Sequence, residues 1–443
     1  MRIDFRAEAM ASTTGWRPES DGVTKKERMA GPGAVAVAVA VAVAVAVAVA
    51  GMVSVVGRHA ATARSSMLAR MPIALDGTKP VRKGEELDVV ALARFLEVAP
   101  ETISITQFPG GHSNLTYLVR VGAKELVLRR PPFGNTVKTA HDMGREVRML
   151  TRLRPHYDKA PRVVASTEDA SILGAPFYLM ERVRGVVIRR KTADGIDLTP
   201  ALARSLSELV VDGLVELHAI DVEKNGLSDL GKPEGFVERQ VRGWSERYVA
   251  AQTDDIPDMP ALAKWLAERI PSPPSPTIVH NDWKLDNLVL SENFVHVLTI
   301  GGAAPDTPAD SPNAPLRSAL VGVLDWEMST IGDPLIDLGT TLSYWVEPGD
   351  DDLLKSVAFG PTTAEGTLTR REVVARYGEK SGRDVSGALF YYVFALFKTA
   401  VVAQQIYTRY KKGLTKDERF ASFIYGVRAL AAQAAAALAS GKI

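Results

Sequence analysis

The pattern of apolar and polar positions divides the chain after residue 75 into a strand-rich segment and a helix-rich segment. Between residues 95 and 183, short runs alternate between apolar and polar residues and end at turn residues such as Gly122, as expected for strands. The predicted strands are Ile103–Phe108, Leu115–Val121, Leu126–Arg130, Val163–Ala165 and Pro176–Val183. A spacing of three to four residues predicts one helix within this segment, at Ala140–Arg154, and another before it, at Leu87–Val98.

Past Gly185 the apolar residues recur with helical spacing, and Thr199-Pro200 forms a suitable N-cap and first-turn pair. The predicted helices are Thr199–His218, Phe236–Ala251, Met259–Ile270, Leu338–Val346, Arg370–Gly378, Val385–Thr408 and Asp417–Ala439. We therefore predict an α+β protein of two lobes. The N-terminal lobe is a small antiparallel sheet with one helix, and the C-terminal lobe is larger and mainly helical.

The first 75 residues follow no globular pattern. Residues 34–50 alternate strictly between Ala and Val, inside an uncharged run over 31–57. Three interpretations remain open: a bilayer-spanning anchor, a signal sequence with a cleavage-like site at 61–63, or a translated simple repeat at an overextended gene start. We predict that residues 1–75 are a low-complexity extension, disordered or not native, and exclude them from the fold.

The composition of the chain limits the partners and the metal ligands that it can use. The 443 residues carry a formal net charge of +1, which gives no global attraction to nucleic acid. There is no cysteine, which excludes disulfides and thiolate ligands. Any metal must therefore bind carboxylates, amides or histidines, a donor set that suits magnesium better than zinc.

The candidate chemistry lies in the polar loop His280–Asn287. Short apolar runs at Thr277–Val279 and Leu288–Leu290 bracket this loop, and a third run, Leu320–Leu324, ends at Asp325. We expect this order to place the carboxylates side by side at the end of one small sheet.

The loop and the downstream aspartate together form the pattern H-x-D-x-x-x-x-N … D. Phosphoryl transfer needs an Asp to orient and deprotonate a hydroxyl, and an Asn and a second Asp to hold divalent ions. Asp282, Asn287 and Asp325 supply these groups in that order, and Glu327 is a further candidate to touch metal or substrate. The competing interpretation is a loop whose polar residues only cap a turn.

From about residue 76 onward the chain resembles the aminoglycoside phosphotransferase and choline kinase superfamily, which has a protein-kinase-like fold. The nearest branch resembles the kinase-like domain fused to some acyl-CoA dehydrogenases. Besides the two acidic motifs, the blocks that carry the resemblance are Phe108–Tyr117, Leu126–Pro132, Arg145-Glu146, Leu179–Glu181 and Phe390–Tyr410.

The resemblance implies ATP and Mg²⁺ as cofactors, with Asp282 as catalytic base and Asn287 and Asp325 as metal ligands. The loop over the nucleotide phosphates would comprise Gly110, Gly111, Ser113 and Asn114. The hinge beside adenine would comprise Met180, Glu181 and Val183. Asp333 and Asp337 would brace the catalytic loop from below.

Two positions depart from the superfamily pattern. Arg129 stands where a lysine is usual and would pair with Glu146. Strand alternation places Arg129, not Arg130, on the face of Val127, and which of the two arginines meets the phosphate stays open. The first motif reads His-Asn-Asp, with Asn281 where many relatives have glycine. Arginine looks usual in this branch, so we do not expect an inactive enzyme.

We therefore predict a nucleotide-binding lobe over 76–183 and a catalytic, substrate-binding lobe over 184–443 with an insert at 293–319. The predicted activity is transfer of the ATP γ-phosphoryl group to a small-molecule hydroxyl, on a hydroxyacyl-CoA or hydroxy acid. The alternatives are an aminoglycoside phosphotransferase and a nucleotide-binding pseudokinase or scaffold. We expect a cytoplasmic protein without a nucleic-acid partner, or a membrane-anchored one if 31–57 is a real anchor.

A basic, aromatic face on the predicted helix Phe236–Ala251 has two interpretations. Arg239, Arg242 and Arg247 share this face with Trp244. The face is either a solvated surface or a contact for an anionic substrate such as an acyl-CoA phosphate.

Overall fold

A computed structural model describes residues 77–108, 114–133, 143–189, 198–292, 319–356, 358–415 and 417–443. The α+β architecture of a small antiparallel sheet followed by a mainly helical lobe is confirmed. The strands of the small lobe are β1 Ile103–Gln107, β2 Leu115–Val121, β3 Lys124–Arg130, β4 Val163–Thr167 and β5 Phe177–Glu181. Its helices are α1 Val89–Phe95, α2 Met143–Leu153 and the one-turn α3 Ala170–Leu173. The sheet order is β1-β2-β3-β5-β4, antiparallel throughout.

Strand β3 separates two cores by the alternation of its side chains. Leu126 and Leu128 join the core that α1 covers, whereas Val127 joins the core that contains α2. Arg129 therefore lies on the α2 side with Val127. Arg130 lies on the opposite side, where its Nη1 donates to the carbonyl of Leu173 in α3 at 2.7 Å.

The large lobe is built around one central helix. Its helices are α4 Pro200–His218, α5 Phe236–Ala251, α6 Asp258–Ala267, α7 Pro334–Tyr344, α8 Asp352–Ser356, α9 Arg370–Ser381, α10 Ala388–Lys411 and α11 Phe423–Ser440. Helices α5, α6, α7 and α11 all pack against α10. Thr199 caps α4 as predicted, since its hydroxyl accepts from the Leu202 N–H.

A very close approach in this lobe joins α7 to α10. A Cβ on Gly339 would lie 2.3 Å from the carbonyl oxygen of Tyr391, so no larger residue fits without moving one helix. This contact fixes α7 against α10, and α7 carries Asp337 in its first turn.

Four short strands hold the predicted catalytic segments, but in two ladders instead of one small sheet. β6 (Thr277–Val279) pairs with β9 (Thr330–Gly332), and β7 (Leu288–Leu290) pairs with β8 (Leu320–Val323). The expectation fits β7 and β8, whose pairing brings Asn287 beside Leu324, the residue before Asp325. It is wrong for β6, which pairs with β9, a strand of three residues that gives no periodic signal in the sequence. The loop between β6 and β7 therefore passes from one ladder to the other.

Two helices in the described part of the chain are long and apolar enough to cross a membrane by length and composition alone. One is α10, whose apolar window is 89% buried, as expected for the core helix of a lobe. The other spans Glu418–Ser440 and is 44% buried. The run over 31–57, the rest of residues 1–76 and positions 293–318 of the predicted insert lie outside the described residues.

Candidate active site

Asp337 holds the first residues of the loop between β6 and β7. Its carboxylate accepts from the backbone N–H groups of His280 at 2.6 Å and Asn281 at 2.5 Å. The Nε2 atom of His218 lies 3.2 Å from the same carboxylate, and its Nδ1 lies 2.7 Å from the Tyr377 hydroxyl. Burial lowers the pKa of His218, so a neutral ring that donates from Nε2 and accepts at Nδ1 satisfies both contacts.

Asp333 contacts other groups than the loop. Its carboxylate accepts from the Leu335 N–H at 2.8 Å, which caps α7, and from the Tyr391 hydroxyl at 2.6 Å. The prediction that both aspartates brace the loop therefore fits Asp337 but is wrong for Asp333, which ties α7 to α10.

Two site residues have a left-handed backbone. Asn281 has a φ of 67° and Asp325 a φ of 66°. Asn and Asp enter this region more readily than other residues with a side chain, and glycine enters it most easily. The backbone therefore explains why Asn281 replaces the glycine that the superfamily pattern expected. Such conformations are concentrated at functional sites.

Substitutions at Asn281 test this explanation. Asn281→Gly is expected to change the free energy of unfolding by less than about 1 kcal/mol, because relief of backbone strain offsets loss of the 3.0 Å hydrogen bond from Nδ2 to the Met328 carbonyl. Asn281→Ala loses the same bond and keeps the strain, so it should cost about 1–2 kcal/mol. Urea unfolding of both variants gives the difference. Equal stability of the two variants would refute the backbone explanation.

The carboxylate of Asp282 is buried and held at both oxygens. Oδ1 accepts from the Tyr344 hydroxyl at 2.9 Å, and Oδ2 accepts from Asn287 Nδ2 at 3.0 Å. Lys284 Nζ lies 3.0 Å from Oδ2. Burial opposes the charged form of Lys284, but the carboxylates of Asp282 and Asp286 outweigh it and raise the lysine pKa well above its ordinary value. The hydrogen bonds and the Lys284 contact therefore hold the Asp282 carboxylate in one orientation.

Two members of this arrangement, Lys284 and Tyr344, were not predicted as site residues. Lys284 stands two positions after Asp282, so its place in the motif was a usable signal. Tyr344 lies 62 positions away at the end of α7, and nothing in the local sequence links it to the loop.

Arg129 joins the two lobes. Its Nη1 lies 2.5 Å from Glu146 Oε1 on α2, and its Nη2 lies 2.9 Å from Asp325 Oδ1 and 3.3 Å from Glu327 Oε2. Burial opposes its charge, but Glu146 and the other carboxylates raise the pKa of Arg129 well above its ordinary value. The guanidinium therefore links the helix of the small lobe to the acidic segment after β8.

Asn114 provides a second link between the lobes. Its Nδ2 donates to Glu327 Oε2 at 2.7 Å. Burial and the neighbouring Asp325 raise the pKa of Glu327 well above its ordinary value. Asn114 is the described member of the predicted phosphate loop; Gly110, Gly111 and Ser113 lie outside the described residues.

A cavity of about 200 Å³ lies between the sheet and the loop ladders. Its lining includes the predicted hinge residues Met180, Glu181 and Val183. Arg129, Asn287 and Asp325 also line it, at the side where the acidic segments meet. The predicted nucleotide residues that the structure describes therefore surround one cavity, and Asn114 is tied to the same acidic segment.

The donor atoms at this edge suit magnesium. Asn287 uses Nδ2 for Asp282, which leaves its amide oxygen as the atom that it can offer to a cation, and Asp325 offers a carboxylate. No cluster of three or more His, Asp or Glu in the described residues has the form of a metal site. Magnesium commonly takes one or two protein oxygens and completes its shell with phosphate and water. The residues therefore fit a Mg²⁺ that arrives with a nucleotide.

A two-lobed fold with a buried carboxylate in a polar loop, an Arg–Glu pair and a cavity between the lobes is typical of protein-kinase-like phosphotransferases. The model of the Phosphotransferase enzyme family (APH) matches residues 104–298 and 317–372, more than half of the chain, and the protein belongs to this family. It is therefore a member of a family of phosphotransferase enzymes.

The chain is also similar to parts of larger proteins and to a solved structure. Acyl-CoA dehydrogenase family member 10 of Mus musculus is 30% identical over 343 residues, which are 76% of this chain and 30% of that protein. Family member 11 of Homo sapiens is 29% identical over 322 residues, 72% of this chain and 38% of that protein. The chain thus spans about a third of these relatives. A crystal structure from Ralstonia eutropha JMP134, provisionally described as an aminoglycoside phosphotransferase, is 26% identical with a TM-score of 0.60, covering 78% of this chain and 96% of that one.

Proposed function

We propose that the protein is a magnesium-dependent kinase that transfers the γ-phosphoryl group of ATP to a hydroxyl of a small molecule, a hydroxyacyl-CoA or hydroxy acid. The observation that carries the proposal is the buried Asp282 carboxylate, fixed by Tyr344, Asn287 and Lys284. Similarity to the acyl-CoA dehydrogenase family members favours the acyl-CoA-related acceptor. We further propose a cytoplasmic location, where ATP is available.

In this proposal Asp282 aligns the acceptor hydroxyl and takes its proton. The Lys284 ammonium pairs with the Asp282 carboxylate, and Tyr344 and Asn287 keep this carboxylate in one orientation. Positioning and electrostatics supply most of the acceleration in phosphoryl transfer, so a rigid base matters more than a strong one.

The nucleotide would bind in the cavity beside the hinge Met180–Val183, with its phosphates toward Arg129 and Asn114. Asn287 and Asp325 would hold Mg²⁺, which neutralises phosphate charge when bound. Glu146 would keep Arg129 oriented toward the phosphates. Gly110, Gly111 and Ser113 are proposed as the remaining part of the phosphate loop.

An aminoglycoside phosphotransferase and a pseudokinase fit the site less well than the proposed kinase does. An aminoglycoside is a polycation, but the buried ammonium groups of Lys284 and Lys398 both lie at the Asp282 loop. A pseudokinase usually lacks a base or a metal ligand, and Asp282, Asn287 and Asp325 are all present.

The proposal predicts strict metal dependence. With ATP and a panel of hydroxy acids, hydroxyacyl-CoA thioesters and aminoglycosides, excess EDTA should reduce phosphorylated product to background. Without the metal, the neutral Asn287 amide and the negative Asp325 carboxylate bring no positive charge to the phosphates. Added MgCl₂ should restore it. Mass spectrometry of each reaction identifies the acceptor. The proposal fails if product forms equally in EDTA, or if no hydroxyl compound is phosphorylated in magnesium.

A further inference from the structure

Three arginine side chains converge on one carboxylate near the turn between β2 and β3. Glu125 Oε1 lies 3.1 Å from Arg120 Nε. The other carboxylate oxygen, Oε2, lies 3.0 Å from Arg182 Nη1 and 3.0 Å from Arg184 Nη2. Because both distances end at one oxygen, these two nitrogen atoms lie within about 6 Å of each other. A single phosphate group can accept hydrogen bonds from two donors at that separation.

The cluster carries more positive than negative charge. Burial opposes the charged form of Glu125, but the three arginines outweigh it and hold the pKa of this carboxyl below its ordinary value. One ionised carboxylate balances one of three guanidinium charges, so these four side chains have a net charge of +2. The Arg182 side chain is only 13% exposed, so water compensates its charge poorly.

The four charged side chains also line one cavity. Its volume is about 330 Å³, and Gly77, Thr78 and Leu118 complete the lining. This volume is in the range of small-molecule pockets, and the concave shape suits a compact ligand better than a protein surface. Arg184 is 66% exposed at this cavity, so it can contact an incoming ligand.

This cavity follows the proposed nucleotide cavity along the same face of the sheet. Glu125 alternates with Val127 and Arg129 on β3 and therefore lies on their side. Arg182, just past the end of β5, lines both cavities. Four positions of strand separate Glu125 from Arg129, a distance of about 13 Å. A ligand in the second cavity would therefore lie beside the hinge and leave room for nucleotide phosphates at Arg129.

We propose that Arg120, Arg182 and Arg184 form a second anion site, which binds a phosphate group of a small molecule while the nucleotide cavity is occupied. Guanidinium groups match phosphate oxygens with paired N–H donors, and the excess charge of the cluster favours an anion. Free phosphate, a phosphomonoester and the phosphates of coenzyme A share this chemistry. The inference does not depend on the phosphoryl acceptor or on the role of Asp282.

Calorimetric titration of the full-length protein with inorganic phosphate, glycerol 3-phosphate and coenzyme A, at constant ionic strength, tests the site. Wild type should bind at least one of the three. Tightest binding of inorganic phosphate identifies the free ion as the ligand, and tighter binding of either ester identifies a phosphate carried on a larger molecule. A saturating magnesium complex of a non-hydrolysable ATP analogue should change this Kd little, because about 13 Å exceeds the Debye length at physiological ionic strength.

Two substitutions should shift the Kd of the bound probe in opposite directions. Arg184→Gln loses a charge-assisted contact and should raise the Kd about 10- to 100-fold. Glu125→Gln removes the competing negative charge but keeps the side-chain shape, so it should lower the Kd about tenfold. Arg204→Gln is the matched control and should bind like wild type, because this arginine on α4 is about half exposed and paired with Glu208 and Glu372, away from the cavity.

Three outcomes would overturn the inference. One is that wild type binds none of the three probes at millimolar concentration. Another is that the ATP analogue abolishes probe binding, which would place the probe in the nucleotide cavity. The third is an unchanged Kd in both Arg184→Gln and Glu125→Gln. Each of these outcomes leaves the proposed kinase function standing, because phosphoryl transfer does not enter the measurement.

Discussion

Asp282→Asn should lower kcat/KM for phosphoryl transfer by about 100- to 10,000-fold, the range in which a general base contributes. The amide cannot accept the hydroxyl proton. The amide oxygen can still accept from Lys284 Nζ and Asn287 Nδ2, with the NH₂ group at the Tyr344 hydroxyl, but the negative charge beside Lys284 is lost. Steady-state kinetics with Mg-ATP and the identified acceptor measure the loss.

ATP binding and a control variant show whether the lost activity of Asp282→Asn comes from the chemical step or from nucleotide binding. ATP binding should persist in Asp282→Asn, because the cavity is lined by other residues, including Met180 and Arg129. Asp286→Asn is a matched control, since this carboxylate is in the same loop but 4.0 Å from Lys284. It should lose at least tenfold less activity. Equal losses in the two variants, or retained turnover in Asp282→Asn, would contradict a general-base role for Asp282.

Asp337→Ala should destabilise the protein by about 3–5 kcal/mol, the cost of leaving buried polar partners of an acidic group uncompensated. The substitution removes the acceptor for the His280 and Asn281 backbone N–H groups and for His218, all in a fully buried position. Urea unfolding measures the change. Activity should fall as well, since the backbone before Asp282 loses its support.

Comparison with Asp333→Ala distinguishes support of the catalytic loop by Asp337 from ordinary helix capping. Asp333 begins the same helix, where it accepts from Leu335 N–H and from the Tyr391 hydroxyl. Loss of an N-cap costs about 1–2 kcal/mol, and the catalytic loop should keep its conformation. If Asp337→Ala costs no more than Asp333→Ala, the loop does not depend on Asp337.

The sequence by itself determined the parts of this protein that depend on local order. The alternation of apolar and polar residues predicted strands β1, β2 and β3. It also predicted the face of the sheet on which Arg129 lies, because side chains on a strand point to the same face every second residue. Helical periodicity and caps located most helices; α5 spans Phe236–Ala251 as predicted. The spacing within His280–Asn287 placed the candidate base and amide in one loop, because five residues cannot separate them far.

Only the tertiary structure determined the contacts between residues that lie far apart in the sequence. It split the expected small sheet into two ladders, because the three residues of β9 carry no periodic signal. It placed the Tyr344 hydroxyl within hydrogen-bond distance of Asp282. It also placed the Asp337 carboxylate at the backbone of the catalytic loop, whereas Asp333 caps α7. It also set Lys398 beside Asn281 across 117 positions. Side-chain partners at such separations depend on how helices pack, and local propensity does not encode that packing.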